Sequence, residues 1–303
     1  MTTAATPNCP GDGPPRCPGT EELDMVLDRA SVGTSAHGEQ RYTWRDPALY
    51  ALALGAGRED LGYVLDKPAP KVLPTFGVIP AFDPVFDVLR ATRADLLQLL
   101  HTGQRVELLQ PFPSEGHMET RAQLRGLWDL KIGALAVVDA ETAVDGAPCA
   151  RTTWELLLRG EGGFGGERPP ARLRVRPKKN DSPLFEDTVA TRPEQALLYR
   201  LTGDINPIHA DPEVAAEAGF ERPILHGLCT YGIAGRLALK HLAGDDPERF
   251  VSLEAQFSAP VVPGDALVIR AFPLEEPGAV ALTVGVSGSD VQAISKARFR
   301  YRT

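Results

Sequence analysis

The feature that most constrains this chain is a weak repeat at half its length. Tyr50-Ala51-Leu52 resembles Tyr199-Arg200-Leu201, and Phe76-Gly77-Val78 resembles His226-Gly227-Leu228. The first words lie 149 positions apart (199 − 50) and the second 150 (226 − 76), so the spacings agree within one residue. A chain of 303 residues has room for two ordinary domains. The repeat predicts two copies of one unit: a short helix, a loop, a glycine-containing start of a longer helix, then strands. Chance matching of short apolar words is the alternative. Composition favours short strands and many turns over a helical bundle, with 29 Gly, 27 Pro and only 7% aromatics against 43% apolar residues.

The net charge of −8 excludes a typical nucleic-acid binder, whose phosphate contacts need a basic surface. Four cysteines without a CxxC pair indicate neither a zinc knuckle nor a disulfide framework. No run is long and apolar enough to span a membrane. The N-terminus lacks a signal pattern, and Tyr301-Arg302-Thr303 is not a peroxisomal address. A reducing, cytoplasmic location is the expectation.

Residues 1–20, rich in Pro and Gly, read as a disordered tail. A short helix is expected over 46–57, with Pro47 near its start. Strands are expected at 104–110, 119–128, 132–142 and 149–159. The glycine-rich segment 160–170 reads as a boundary. Arg172, Arg174 and Arg176 alternate with apolar residues, as a strand with one basic face would. A helix fits 193–202 and a longer one 225–243, followed by strands at 250–258, 265–274, 279–287 and 291–302. The expected organisation is a tail (1–20), a first unit that holds substrate (21–160), a linker with a first strand (161–180) and a catalytic second unit (181–303).

Within residues 199–235 an acid (Asp204), an amide (Asn206) and an imidazole (His209) fall within six positions, interrupted by Gly203 and Pro207. They therefore lie on a shaped turn. His226 follows, joined directly to Gly227 at the start of an apolar segment. An acid/base pair followed by a bare backbone donor at a helix start is what proton transfer beside a carbonyl needs. Each part alone has a structural reading: Asp204 as a turn acid, His209 as a structural histidine, His226 satisfying a buried carbonyl, Asp211-Pro212 as a helix N-cap and first residue. Two histidines and two aspartates without HxH, HExxH or CxxC give no metal motif. Counting back by the repeat, Asp204 and His209 correspond to Gly55 and Asp60, so the first half lacks the pair.

These residues resemble the signature of the MaoC-like, type 2 enoyl-CoA hydratases, roughly Y-R-L-x-G-D-x-N-P-x-H-x-D-P, a short spacer, then G-F-x-x-P-I-L-H-G-L. The segments DPALYALALGAG (46–57), LPTFGVIP (73–80), LLHTGQRVELLQPFP (99–113), GEGGFGG (160–166) and FSAPVVPGDAL (257–267) resemble further parts of the two-domain eukaryotic type. The resemblance spans about residues 22–302. It implies an α+β double hot-dog, two curled antiparallel sheets each wrapped on a long helix. It also implies reversible hydration of trans-2-enoyl-CoA to (3R)-3-hydroxyacyl-CoA, with no metal or redox cofactor and coenzyme A only as part of the substrate.

By that resemblance Asp204 and His209 are the catalytic pair. Asn206 orients the water or Asp204 through its amide, and the Gly227 N–H is the oxyanion donor. Substrate contacts are expected at His101, Pro207, His226, Phe257 and Lys131. Thr102 stands where the family has glycine, and Leu130 rather than Lys131 falls at the strict lysine position. The run Arg172 to Lys179 offers CoA phosphates an alternative, or is a solvated strand face. An acyl-CoA substrate, no nucleic-acid or membrane partner and a homodimer complete the expectation. The competing readings are a hot-dog acyl-thioester hydrolase, an acyl-carrier-protein-dependent 3-hydroxyacyl dehydratase and an inactive scaffold subunit.

Overall fold

The computed structural model describes residues 27–171, 175–178 and 180–303; the expected tail at 1–20 and Arg172, Arg174 and Lys179 lie outside them. In the first half, β1 (Ser35–Tyr42), α1 (Arg45–Ala53), a 3-10 turn (Pro74–Val78) and α2 (Phe82–Arg90) precede four strands. These are β2 (Leu99–Leu108), β3 (Gly116–Asp129), β4 (Gly133–Val144) and β5 (Ala147–Arg159). The second half runs β6 (Phe185–Ala190), α3 (Gln195–Tyr199), α4 (Pro212–Glu217) and α5 (Gly227–Leu242). It closes with β7 (Phe250–Phe257), β8 (Ala266–Pro273), β9 (Ala279–Val286) and β10 (Gln292–Tyr301).

The ten strands form one antiparallel sheet in the order β1-β3-β4-β5-β2-β7-β10-β9-β8-β6. Each half contributes five strands in the same relative order, and the halves meet edge to edge at β2 and β7. There Arg105 lies opposite Glu254. Those positions are 149 apart (254 − 105), the spacing of the sequence repeat, so a local two-fold axis passes between them. Tyr50 and Tyr199, also 149 apart, meet with ring centroids at 6.1 Å. The repeat is therefore structural, and the chain is the α+β double hot-dog that the resemblance implied.

Burial follows the strand period. On β3, Met118, Thr120, Ala122 and Leu124 are buried while Glu119, Arg121, Gln123 and Arg125 face solvent, as an antiparallel sheet with one wet face requires. The covered face meets the helices. On α5 every residue from Leu228 to Leu239 is buried, the mark of a helix enclosed on all sides. Gly232 is needed there, because a Cβ would stand 2.6 Å from Leu54 Cδ2. This close approach locks α5 of the second half against the segment after α1 of the first. No helix among the described residues is long and apolar enough to cross a membrane.

The expected strands form within a few residues of their expected bounds, except in the basic run. Residues 175–178 are not in a strand, and among the described residues the first strand of the second half is β6. The longer helix expected to open at Phe76-Gly77 in the first half does not form there. That word sits in the 3-10 turn, Pro80 supplies no N–H to extend it, and α2 starts only at Phe82. Pro84 falls in the first turn of α2, where a missing N–H costs no hydrogen bond. β1 and β6 are the two ends of the sheet; the mostly polar word of β1 shows no hydrophobic period, and β6 is only six residues long.

Candidate active site

The site begins where α3 tightens into a 3-10 turn, Arg200–Thr202. Gly203 follows at φ 142°, a conformation open to glycine and strained for other residues. The chain reverses there and Asp204 is buried, 9% exposed, at the wall of a cavity. Asn206 caps the next turn, its Oδ1 accepting the Ile208 N–H at 3.1 Å, and Pro207 is that turn's first residue. The turn delivers His209, whose Nδ1 donates to the Ile224 carbonyl at 2.8 Å. Asp211 then caps α4 by accepting the Glu213 N–H, with Pro212 as first helical residue, the structural role its spacing predicts.

His226 closes the arrangement from behind. Its ring stacks on that of His209 at 3.7 Å, with planes 27° apart, and its Nε2 donates to the main-chain carbonyl of Asp204 at 3.1 Å. One side chain thus braces both members of the pair. The Asn206 main-chain N–H donates to Asp204 Oδ1 at 3.2 Å. Asn206 therefore reaches Asp204 through its backbone rather than through the side-chain amide, whose oxygen is engaged in capping.

Electrostatics prepare the pair. A carbonyl can only accept, so His209 Nδ1 carries the proton and Nε2 is left as an acceptor. Burial pushes His209 down to about 4 and Asp204 up to about 6. At neutral pH the imidazole is neutral and the carboxyl ionised, so both present acceptors. A ring nitrogen of His209 and a carboxylate oxygen of Asp204 lie within 4.8 Å of one another. One water bonded to each at about 2.8 Å spans up to about 5.6 Å. Burial, reinforced by His209, holds His226 at about 2, so it stays neutral.

Gly227 is the first residue of α5, where the N–H has no intrahelical partner and the dipole favours negative charge. It lines the same cavity, and a Cβ on it would stand 3.4 Å from the Phe257 ring. The cavity, of about 370 Å³, is shared by both halves. The first half supplies Phe82, Phe86, His101 and Trp154; the second supplies Asp204, His209, Gly227 and Phe257. His101 stacks on Trp154 at 5.0 Å and meets Phe257 edge-on at 5.1 Å. A bulge at Thr102, where β2 slips against β5 between His101 and Gly103, aims that ring.

The structure thus gathers Asp204, Asn206, His209, Gly227, His101 and Phe257 around one cavity. Three expected substrate contacts stand elsewhere. His226 is fully buried behind His209 and engaged with a carbonyl. Pro207 shapes the turn. Lys131 sits in the β3–β4 turn at φ 67°, off the cavity wall, its N–H held by Asp129. Trp154, Phe82 and Phe86 carry no sequence signal, since lone aromatics in strands and helices are usually core. In the first half, Asp60 is held by Arg236 at 3.3 Å and Lys240 at 3.2 Å, both from α5. The position that answers to His209 is thus a tie between halves.

Asp204, His209 and His226 are the one group of potential metal ligands found close together among the described residues. The two imidazoles stack with planes only 27° apart, so their in-plane lone pairs do not converge on one point at the roughly 2 Å a metal bond needs. The donor set fits a water better than a metal ion.

Residues 175–276 match the MaoC like domain family and residues 40–160 the MFE-2 hydratase 2 N-terminal domain family. The chain is 38% identical over 237 residues to a probable enoyl-CoA hydratase 2 of Dictyostelium discoideum, covering 76% of this chain and 81% of that protein. It is 37% identical over 283 residues to 3-hydroxyacyl-thioester dehydratase Y of Mycobacterium tuberculosis, covering 88% and 94%. The crystal structure of a MaoC-like dehydratase from Phytophthora capsici superposes with a TM-score of 0.80 at 29% identity, covering 93% and 98%.

Proposed function

We propose a reaction for this chain from one premise: it belongs to the MaoC-like family of type 2 enoyl-CoA hydratases. The protein is a hydro-lyase that adds water (3R)-specifically to a trans-2-enoyl-CoA and removes it in the reverse direction. The observation that carries the reading is Asp204 and His209, whose Nδ1 is taken up by the Ile224 carbonyl and whose Nε2 is left as an acceptor, lining the same cavity as Gly227, the first residue of α5.

In this scheme a water donates one hydrogen bond to each acceptor. Its oxygen attacks the β-carbon, and the π pair of the alkene moves through the α-carbon onto the thioester oxygen. The Gly227 N–H and the N-terminus of α5 stabilise that oxyanion. Asp204 holds a proton more readily than His209, about 6 against about 4, so Asp204 accepts the water's proton and returns it to the α-carbon. Water and proton arrive from one face, giving syn addition. His226 and the Asn206 N–H hold the pair in place.

The scheme uses no metal or redox cofactor; activity undiminished by a chelator would support that, and loss of activity would contradict it. With crotonyl-CoA, hydration bleaches the conjugated enoyl thioester without releasing thiol. Thiol release at the same rate would favour the hydrolase reading. A cytoplasmic location is supported by the unpaired buried thiols Cys149 and Cys229, and a homodimer by the family resemblance. Fractionation and light scattering check these.

A further inference from the structure

We propose that Arg159 is an anion-binding residue at the rim of the cavity, recognising a phosphate or carboxylate carried by the thioester substrate. Arg159 ends β5 and is the one guanidinium among the residues that line the cavity, whose wall also carries Phe82, Phe86 and Leu99. It is half-buried, and its Nε donates to the Gln98 carbonyl at 3.2 Å, which fixes the fork. Its other donors have no carboxylate partner among the described residues. A fixed guanidinium with open N–H groups, partly withdrawn from water, is suited to a planar or tetrahedral oxyanion.

The surroundings point the same way. Leu97, next to Gln98, is 79% exposed, and Ile132, whose carbonyl accepts the Gly160 N–H, is 71% exposed. They are the two most exposed large apolar residues described, and both flank Arg159. Two bare aliphatic side chains beside an unpaired cation make an amphipathic lip, complementary to a ligand with an apolar stretch ending in an anion. From the rung that pairs His101 with Leu156, β5 advances three residues to Arg159, roughly 10 Å. The anion therefore belongs to an end of the ligand, remote from the reacting carbons. Two parts of an acyl thioester qualify: the phosphate of the carrier arm, or a carboxylate at the far end of the acyl chain.

The inference rests on the acyl-thioester reading of the cavity, so binding is measured directly by calorimetry and turnover separately. A wild-type protein that binds crotonyl-CoA without hydrating it would refute the reaction while leaving Arg159 under test. The probes are crotonyl-CoA, crotonyl-pantetheine, which lacks phosphate, and a pair of trans-2-enoyl-CoA esters with and without a terminal carboxylate. Arg159→Gln is expected to reduce the preference for crotonyl-CoA over crotonyl-pantetheine by about tenfold or more. A drop confined to the preference for the carboxylate-bearing ester assigns the anion to the acyl end instead. Arg159→Lys keeps the charge but loses the fork and the bond to Gln98, so it should retain only part of the preference. Both preferences at wild-type values in Arg159→Gln would overturn the proposal.

Discussion

Replacing Asp204 with Asn should make the protein more stable and nearly inactive at once. Asp204 is buried, 9% exposed, and burial lifts its carboxyl from 3.8 to about 6. That displacement, roughly two pH units, weights the folded state by roughly 3 kcal/mol against the ionised form. Because the folded value lies above the unfolded one, the group contributes stability below about 3.8, and that contribution is lost as pH rises through about 6. Asparagine keeps the shape and the acceptor for the Asn206 N–H without the charge. At pH 7.5, Asp204→Asn should gain up to about 3 kcal/mol over wild type in a denaturant titration, or several degrees in Tm. The gain should shrink through pH 6 and vanish near pH 4. Hydration should fall about 10²–10⁴-fold, the usual scale of a positioned acid–base group. A variant no more stable than wild type at pH 7.5, or one whose gain does not change with pH, would refute the claim that a buried, ionised Asp204 is held there at a cost.

Three further outcomes are expected. For the free enzyme, log kcat/KM should fall below about pH 6 as Asp204 protonates and steepen near 4 as His209 does; a flat profile down to pH 5 contradicts the assignment. Gly227→Pro removes the oxyanion N–H at a position where proline suits a helix start, and His226 at φ −53°, ψ 130° already has the backbone a following proline needs. It should fold with little change in Tm and lose about 10²–10³ in kcat; wild-type turnover in a folded variant removes Gly227 as the donor. His226→Phe keeps the stack on His209 but deletes the bond to Asp204, so kcat should drop about tenfold or more with KM little changed, and a purely raised KM would return His226 to substrate contact.

Much of this site was legible because its parts lie close in sequence. Asp204, Asn206 and His209 share one turn, and Gly203 and Pro207 are the residues such a turn needs. The spacing of Tyr50 to Tyr199 proved to be the spacing of the residues on the two-fold axis, Arg105 and Glu254. What stayed hidden depends on pairing between distant segments. Nothing near His101 announces Trp154, because they meet only through the slip of β2 on β5. The bracing role of His226 depends on a stack and a carbonyl 22 positions away. The edge strand β1 carries too few apolar residues to show a period and β6 is too short to show one, while α2 has Pro80 just before it and Pro84 in its first turn, which interrupt a helical pattern.

The central claim is that one Asp204–His209 pair, in one half of a doubled fold, activates water for (3R) addition. The most direct measurement is crotonyl-CoA hydration by wild type, Asp204→Asn and His209→Ala, with the product's configuration determined. The account predicts (3R)-3-hydroxybutyryl-CoA from wild type and a loss of at least about 10²-fold in each variant. Wild-type rates from both variants, or a (3S) product, would contradict it.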